Sequence, residues 1–239
     1  MLPSGDCARA APLLSREDLE IVIQSLEPDL TVEAHHAAAD VPAAALDHAE
    51  WTSARAVWIT RYWSGTQAPD CRHAEARLIW SSAALGVRFV CRQAEPLIAH
   101  PHPQLDRKTI GLWERDVCEI FIAPDIQQPE RYLEFEAAPT GEWLDLGIHQ
   151  RPDRRETDWD LQSGMTAAAR IGANEIVIAM RVPWEAFGRA PQAGERWRAN
   201  LFRCVGAGPE RGYLAWSPTR TAQPNFHVPA AFGWLRFAQ

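Results

Sequence analysis

Three glutamates on two neighbouring predicted strands are the residues of this sequence best suited to chemistry. In the segment 116–123, side chains alternate between two faces, and Glu119 falls on the face opposite the most apolar residues. The segment 131–137 alternates in the same way and places Glu134 and Glu136 on one face. If the two strands pair, the three carboxylates stand together on an outward sheet face.

Aromatic side chains border this predicted acidic face. Trp113 stands at the entry to the first strand, and Tyr132 shares a face with the second pair of glutamates. Carboxylates accept hydrogen bonds from hydroxyl groups, and an indole face packs against the C–H groups of a sugar ring. The pattern therefore suits a neutral polyol, although the solvated face of an ordinary antiparallel sheet has the same pattern.

The same carboxylates could serve glycoside hydrolysis, which needs two of them facing one bond at roughly 5 to 10 Å. Glu119 with Glu134 or Glu136 meets the requirement for residue type. The sequence predicts no apolar pocket around a single glutamate that would raise its pKa, which disfavours this hypothesis. The motifs of serine hydrolases, P-loop proteins, zinc proteases and dinucleotide-binding proteins are not in the sequence.

Charge and composition exclude several partners. The 239 residues contain 31 acidic and 24 basic side chains, giving a formal net charge of -7, which opposes binding to nucleic acids and anionic membranes. No apolar run approaches the roughly 20 residues that cross a bilayer. The acidic chain has no heptads, so we expect a monomer. Five cysteines without C-x-x-C spacing predict free thiols and neither a zinc site nor a disulfide framework.

The N-terminal residues lack the basic and apolar regions of a secretory signal. As written, the sequence predicts a cytoplasmic protein. If a signal has been removed from it, the same sequence fits a periplasmic or secreted protein.

Short apolar runs separated by turn residues predict an all-β fold. The clearest strands are 76–80 with 85–91, which form a hairpin, followed by the two glutamate-bearing strands and by segments near 174–182, 197–205, 212–216 and 232–237. We predict a single antiparallel two-sheet β-sandwich over residues 41–239, with residues 1–40 as an N-terminal arm or extra element. Leu19 to Leu26 within this arm fits either helix or strand. The one helical turn expected in the body is Pro183 to Phe187.

The segment Leu112 to Asp125 resembles the W-x-x-D-x-x-E-x-F signature of family 9 carbohydrate-binding modules and their DOMON-like relatives. Other segments resemble further motifs of that family in the family's order, which extends the resemblance over roughly residues 40–239. These segments are 46–51, 76–89, 197–203, 215–218 and 226–233.

The resemblance implies a β-sandwich without catalytic activity that holds a sugar between two aromatic rings over polar side chains. By position, Trp113 matches the first ring and Phe226 the second, where well-known members have a tryptophan. Glu119 matches an acid that hydrogen-bonds the sugar, and Asn200 matches a family asparagine. Glu136 stands where the family has an arginine that contacts the sugar.

The resemblance leaves other readings open. DOMON-like relatives that hold haem use methionine and histidine, for which Met165 with His149 or His227 is the available set here. A protein-interaction domain that has lost its sugar site is a further alternative. No cofactor is expected, although structural calcium occurs in some family members and its ligands have no assigned place in this sequence.

Overall fold

A computed structural model describes residues 30–239 of the chain. The predicted element at Leu19 to Leu26, and the rest of the arm up to residue 29, lie outside the described residues. Strand β1, Thr31–His36, falls within the range 1–40 that we predict as an arm or extra element. It pairs with strands on both of its sides, so this part of the range belongs to the sheet.

The described residues form fourteen strands, more than the eight to ten indicated by the apolar runs. After β1 the strands are β2 (Val57–Ile59), β3 (Arg61–Tyr62), β4 (Ala74–Trp80), β5 (Ala84–Arg92), β6 (Val117–Ala123), β7 (Arg131–Ala137), β8 (Trp143–Gln150), β9 (Arg155–Asp158), β10 (Thr166–Ile171), β11 (Glu175–Pro183), β12 (Arg196–Val205), β13 (Gly212–Ala215) and β14 (Gly233–Phe237). One strand that the sequence analysis did not indicate, β8, alternates Leu144, Leu146 and Ile148 with polar residues and glycine. The other strands that it did not indicate are short or rich in polar residues and alanine. They therefore carry a weak alternating pattern.

The strands follow the order β10-β11-β5-β4-β1-β14-β12-β6-β7-β8-β9, with β13 beside β12 and β3, and β2 beside β4. The predicted β-sandwich class is confirmed, but the prediction of purely antiparallel sheets is wrong. Strand β1 runs parallel to both β4 and β14. Neither neighbour is joined to β1 by a hairpin, and parallel neighbours need the longer connections that this topology provides.

The two faces of β6 pack against different groups of residues. On one face, Cys118 lies against β5 of the other layer, where its Sγ is 3.3 Å from the Sγ of Cys91. The opposite face, with Val117 and Phe121, joins an apolar cluster that includes residues from β7, β8 and β12 and from the loops near 112 and 226–232. Every residue of β6 is therefore buried, including Glu119.

Helices are short in the described part of the chain. The α-helix α1 spans Glu50–Ser53 and buries Trp51. The predicted helical turn after Pro183 is confirmed as a 3-10 helix at Trp184–Phe187, and similar turns lie at Asp70–Arg72, Leu112–Glu114, Gly208–Glu210 and Pro229–Ala231. No helix among residues 30–239 combines the length and apolar character that crossing a membrane requires.

Candidate functional site

The structure brings the three glutamates together as the alternation predicts. Strands β6 and β7 are antiparallel neighbours, and Glu119 stands directly opposite Glu136. Glu134 lies two residues along β7, so its side chain points to the same face. One carboxylate oxygen from each residue lies within 4.8 Å of the others. We call these three residues the glutamate cluster.

The prediction that this face is outward and solvated is wrong. The exposed fractions of Glu119, Glu134 and Glu136 are 2%, 3% and 0%. The face is covered by side chains from other parts of the chain, including Leu112, Tyr213, Phe226 and Phe232. Local alternation shows which side chains share a face, but it does not show which distant loops cover that face.

Few hydrogen-bond donors reach the glutamate cluster. The Sγ of Cys204 donates to Oε1 of Glu119 at 3.5 Å. Oε2 of Glu134 and both carboxylate oxygens of Glu136 have no hydrogen-bond partner in the described structure. The nearest basic group to Glu134 is the Nδ1 of His227, 4.0 Å from its Oε2.

Burial strongly disfavours the charged form of these carboxyl groups. Burial, and then repulsion by Glu134, raises the pKa of Glu119 to about 8. Burial raises the pKa of Glu134 to about 7. The pKa of Glu136 lies well above its ordinary value because of burial and the two neighbouring carboxyls. The pKa of His227 falls to about 3, mainly through burial, so its ring is neutral at pH 7.

A cavity of about 510 Å³ opens above the glutamate cluster. Trp113 and Phe226, the two rings implied by the family resemblance, both line it, together with Glu119 and Glu134. The other lining residues are Glu114, Leu146, Ile148, Arg155, Thr157, Trp159, Cys204, Arg211, Tyr213, Pro224, Asn225 and His227. The aromatic and acidic residues singled out from the sequence therefore meet at one cavity.

Two of the predicted site residues do not line this cavity. Glu136 is the cross-strand neighbour of Glu119, is fully buried and does not line the cavity. Asn200 is also fully buried, and its Oδ1 accepts hydrogen bonds from the backbone N–H groups of Leu201 and Ser217, at 2.9 and 3.0 Å. Its Nδ2 donates to the carbonyl of Ser217 at 2.8 Å. Through these hydrogen bonds, the Asn200 side chain links β12 to the segment after β13 and so fixes the backbone there.

The aromatic rings at the cavity are held by other rings. Phe226 stacks on Phe202, with centroids 4.1 Å apart and planes at 13°, so one of its faces is covered by protein. Trp113 contacts Trp159 at 6.2 Å with planes at 44°, and Trp159 is 45% exposed. Each predicted ring therefore keeps one side for a ligand at most.

Several lining residues were not singled out from the sequence as site residues. Arg211 fixes the Trp113 turn by donating to the carbonyls of Trp113, Glu114 and Arg115, at distances of 2.6 to 2.7 Å. His227 hydrogen-bonds the hydroxyl of Tyr132 at 2.9 Å. His227 directly follows Phe226, and this adjacency was the available signal. The sequence contains no such signal for Arg211, because the residues that it contacts lie almost a hundred positions away.

Predictions for residues outside the site had mixed outcomes. Trp58 lies within an apolar run of the sequence, which predicts packing in the core, but it is 49% exposed on the short strand β2. Met165 and Met180 are both buried, and neither lines the cavity. Cys91, Cys118 and Cys204 are buried free thiols, as predicted, whereas Cys71 is exposed.

Comparisons with known proteins find a matching family and several relatives of similar sequence or structure. The model of carbohydrate-binding family 9 matches residues 46–237. A relative named extracellular protein from Arthroderma benhamiae is 23% identical over 176 residues, covering 67% of this chain and 77% of the relative.

Solved structures share the fold. A protein from Bacteroides uniformis, described as carbohydrate-binding, superposes with a TM-score of 0.63 at 19% identity, covering 87% of this chain and 98% of that one. A carbohydrate-binding module of family 9 from Caldicellulosiruptor kristjanssonii, solved with glucose, gives 0.61 at 13% identity, covering 88% and 97%. The same organism's module with cellotriose gives 0.61 at 12% identity, covering 87% and 94%.

Proposed function

Because the chain belongs to carbohydrate-binding family 9, we propose that it binds a neutral carbohydrate in the cavity lined by Trp113 and Phe226, without cleaving it. The observation that carries this proposal is the meeting of aromatic faces and buried acceptors at one opening. Such a combination suits a sugar, which presents apolar C–H faces and hydroxyl edges to the same site.

The lining of the cavity supplies both kinds of contact. Trp113, Trp159 and Phe226 offer ring surface, and Glu119 and Glu134 offer carboxyl oxygens at the inner end. Arg155 and Asn225 bring donors to the same cavity. The site therefore has partners for a hydroxyl in either hydrogen-bonding role.

The size of the cavity favours a short ligand. A volume of about 510 Å³ lies within the range of ordinary small-molecule sites and fits one or two sugar rings. The related module from Caldicellulosiruptor kristjanssonii was solved with glucose and with cellotriose. We therefore use these two sugars as probes.

The spacing of the carboxyl groups supports binding without hydrolysis. Retaining and inverting glycosidases hold their two carboxyls about 5–5.5 or 6.5–9.5 Å apart, so that a nucleophile or a water fits between them and the sugar. The glutamate cluster has oxygens from all three residues within 4.8 Å, on the same side of the cavity. Glu119 and Glu134 therefore reach the cavity side by side from one sheet face, which does not place them on two sides of a bound sugar.

The place of action that we propose is outside the cytoplasm. The relative from Arthroderma benhamiae is named an extracellular protein, and nothing in the comparisons supports the cytoplasmic location predicted from the N-terminal residues. The predicted monomeric state stays a prediction.

Sugar titration of a tryptophan variant tests the proposed function. We expect wild-type protein to bind glucose or cellotriose with a dissociation constant between micromolar and millimolar, roughly -8 to -4 kcal/mol, measured by calorimetry. Trp113→Ala should weaken this binding about tenfold or more, because it removes a ring that faces the cavity. Trp58→Ala is the matched control, since Trp58 is exposed and lies away from the cavity.

Two outcomes would contradict the proposal. One is equal sugar affinity in wild-type protein and Trp113→Ala. The other is turnover of aryl glycosides or cello-oligosaccharides that Glu119→Gln abolishes, which would make the chain an enzyme. Loss of about 3 kcal/mol of stability in Trp113→Ala would show that the ring serves the core instead.

A further inference from the structure

The glutamate cluster places like charges where a sheet least tolerates them. Glu119 and Glu136 are directly opposed across β6 and β7, and Glu134 is the next residue on the same face. Opposed like charges destabilise a pair of strands, and burial makes an uncompensated charge still more costly. An arrangement of this kind calls for a compensating partner.

The protein itself supplies little compensation. Within residues 30–239, no lysine or arginine forms an ion pair with Glu119, Glu134 or Glu136, although such pairs are frequent elsewhere in these residues. His227 is the nearest basic side chain, with its Nδ1 4.0 Å from Oε2 of Glu134. The fold therefore does not supply the positive charge that would balance three ionised carboxylates.

The geometry of the oxygens indicates what this partner is. Glu136 is fully buried, and neither of its oxygens has a hydrogen-bond partner, although both lie in the cluster. Oε2 of Glu134 is unpartnered as well. Three carboxylate oxygens within 4.8 Å of one another match the spacing of ligands around one cation bound at 2.0 to 2.6 Å.

We propose that Glu119, Glu134 and Glu136 bind one divalent metal ion that prefers oxygen ligands, at the inner end of the cavity. Carboxylates favour Ca²⁺, Mn²⁺ and Mg²⁺ over softer metals. Mg²⁺ gives up its water shell reluctantly, so a buried site with three protein ligands favours Mn²⁺ or Ca²⁺. The metal also offsets two of the three negative charges.

The cavity gives the ion a way in. Glu119 and Glu134 line the cavity, while Glu136, directly opposite Glu119 on β7, is fully buried. The metal site shares Glu119 and Glu134 with the proposed sugar site, whereas Glu136 belongs to the metal site alone, because it does not line the cavity.

Calorimetry on chelator-treated wild-type protein tests the site. With MnCl₂ and with CaCl₂ as titrants, we expect one site per chain and a dissociation constant below about 100 µM for at least one of them. At 1 mM of that metal the melting temperature should rise by about 3 °C or more, since a ligand of the folded state stabilises it. The Glu136→Gln variant should lose at least tenfold in metal affinity.

Controls separate this site from adventitious binding and from the sugar site. Glu185→Gln changes an exposed glutamate and should leave metal binding unaltered. Glu136→Gln in metal-free buffer should keep its sugar affinity within about threefold. If Glu136→Gln does not fold, crystals of wild-type protein soaked in MnCl₂ show by anomalous scattering whether Mn²⁺ lies among the three carboxylates. Absence of binding at 1 mM of both metals, or binding that Glu136→Gln leaves unchanged, would overturn the proposal.

Discussion

Buried carboxyl groups occur in two regions of this protein, and their surroundings differ. Asp116, which directly precedes β6, is 2% exposed, yet it accepts three hydrogen bonds. Its Oδ1 binds the N–H of Gly206 at 2.7 Å, and its Oδ2 binds the N–H of Ile98 at 3.3 Å and the Nε2 of Gln93 at 3.1 Å. Glu136 on the adjacent strand accepts none in the described structure.

Two further acids resemble Asp116. Glu142 accepts hydrogen bonds from the hydroxyls of Thr140 and Thr109, at 3.0 and 3.3 Å. Asp145 accepts a hydrogen bond from the backbone N–H of Ser163 at 2.8 Å and lies 2.6 Å from the Nζ of Lys108, the one lysine in the sequence. We call Asp116, Glu142 and Asp145 the partnered acids.

This difference helps to distinguish carboxyl groups that stabilise the fold from carboxyl groups that bind a ligand. The partnered acids tie loops to strands, and each of them accepts a hydrogen bond from the fold or pairs with a charged group in it. Burial of the glutamate cluster destabilises the fold, because few hydrogen bonds or ion pairs within the protein compensate for it. Such a cost is typical of residues that are retained to bind a ligand. Burial alone does not make this distinction, since all six carboxyl groups are almost equally buried.

The largest effect is expected for Asp116→Asn. This change keeps the shape of the side chain but turns one acceptor into a donor that faces N–H groups. We expect a loss of about 2–3 kcal/mol in the free energy of unfolding. Urea denaturation followed by tryptophan fluorescence measures it, and an unchanged midpoint would remove the distinction between the two regions.

The same isosteric change in the glutamate cluster should act in the opposite direction. Glu136→Gln removes a carboxyl that has no partner, so we expect metal-free protein to gain about 1–2 kcal/mol of stability. The same urea titration, run with a chelator, compares it directly with Asp116→Asn. A loss comparable to that of Asp116→Asn would show that Glu136 is structurally partnered after all.

The smallest effect concerns Glu195, a partly exposed acid with its own donors. Burial alone would raise its pKa, but Arg189, the N–H of Gln192 and the indole of Trp197 lower it to about 2. A pKa below the unfolded value of 4.5 means that ionised Glu195 stabilises the fold above that pH. This contribution is lost as the pH falls from 4.5 toward 2.

Solvent screening limits the contribution of Glu195 to about 0.5 kcal/mol. Urea midpoints of wild-type protein and Glu195→Gln should therefore differ at pH 6 and converge near pH 2.5. A difference that is constant over this range would show that the carboxylate charge is not responsible.

Much of the site could be predicted from the sequence, because its arrangement is local. Alternation in β6 and β7 placed Glu119, Glu134 and Glu136 on one face, and the structure confirms that arrangement. The signature around Trp113 led to the correct family, and Phe226 reaches the same cavity. These results depend on neighbouring residues and on motif spacing.

The remaining features depend on contacts between distant parts of the chain. The burial of the glutamate cluster comes from Tyr213 and Phe226, about eighty to a hundred residues beyond β6 and β7. The side chain of Asn200 acts on the backbone of a segment seventeen residues later, so its motif position alone suggested a ligand contact. No repeating pattern in the sequence indicates either of these long-range contacts.

The position of β1 in the sheet determines when this part of the sheet can form during synthesis of the chain. Its Thr31 pairs with Trp234 on β14, and its Ala34 also pairs with Leu78 on β4. During synthesis, β1 leaves the ribosome about two hundred residues before β14 and cannot complete its pairing until then. Contacts of such long range close slowly because the loop-closure entropy must be overcome first. The nascent chain therefore carries an unpaired strand edge until β14 has emerged.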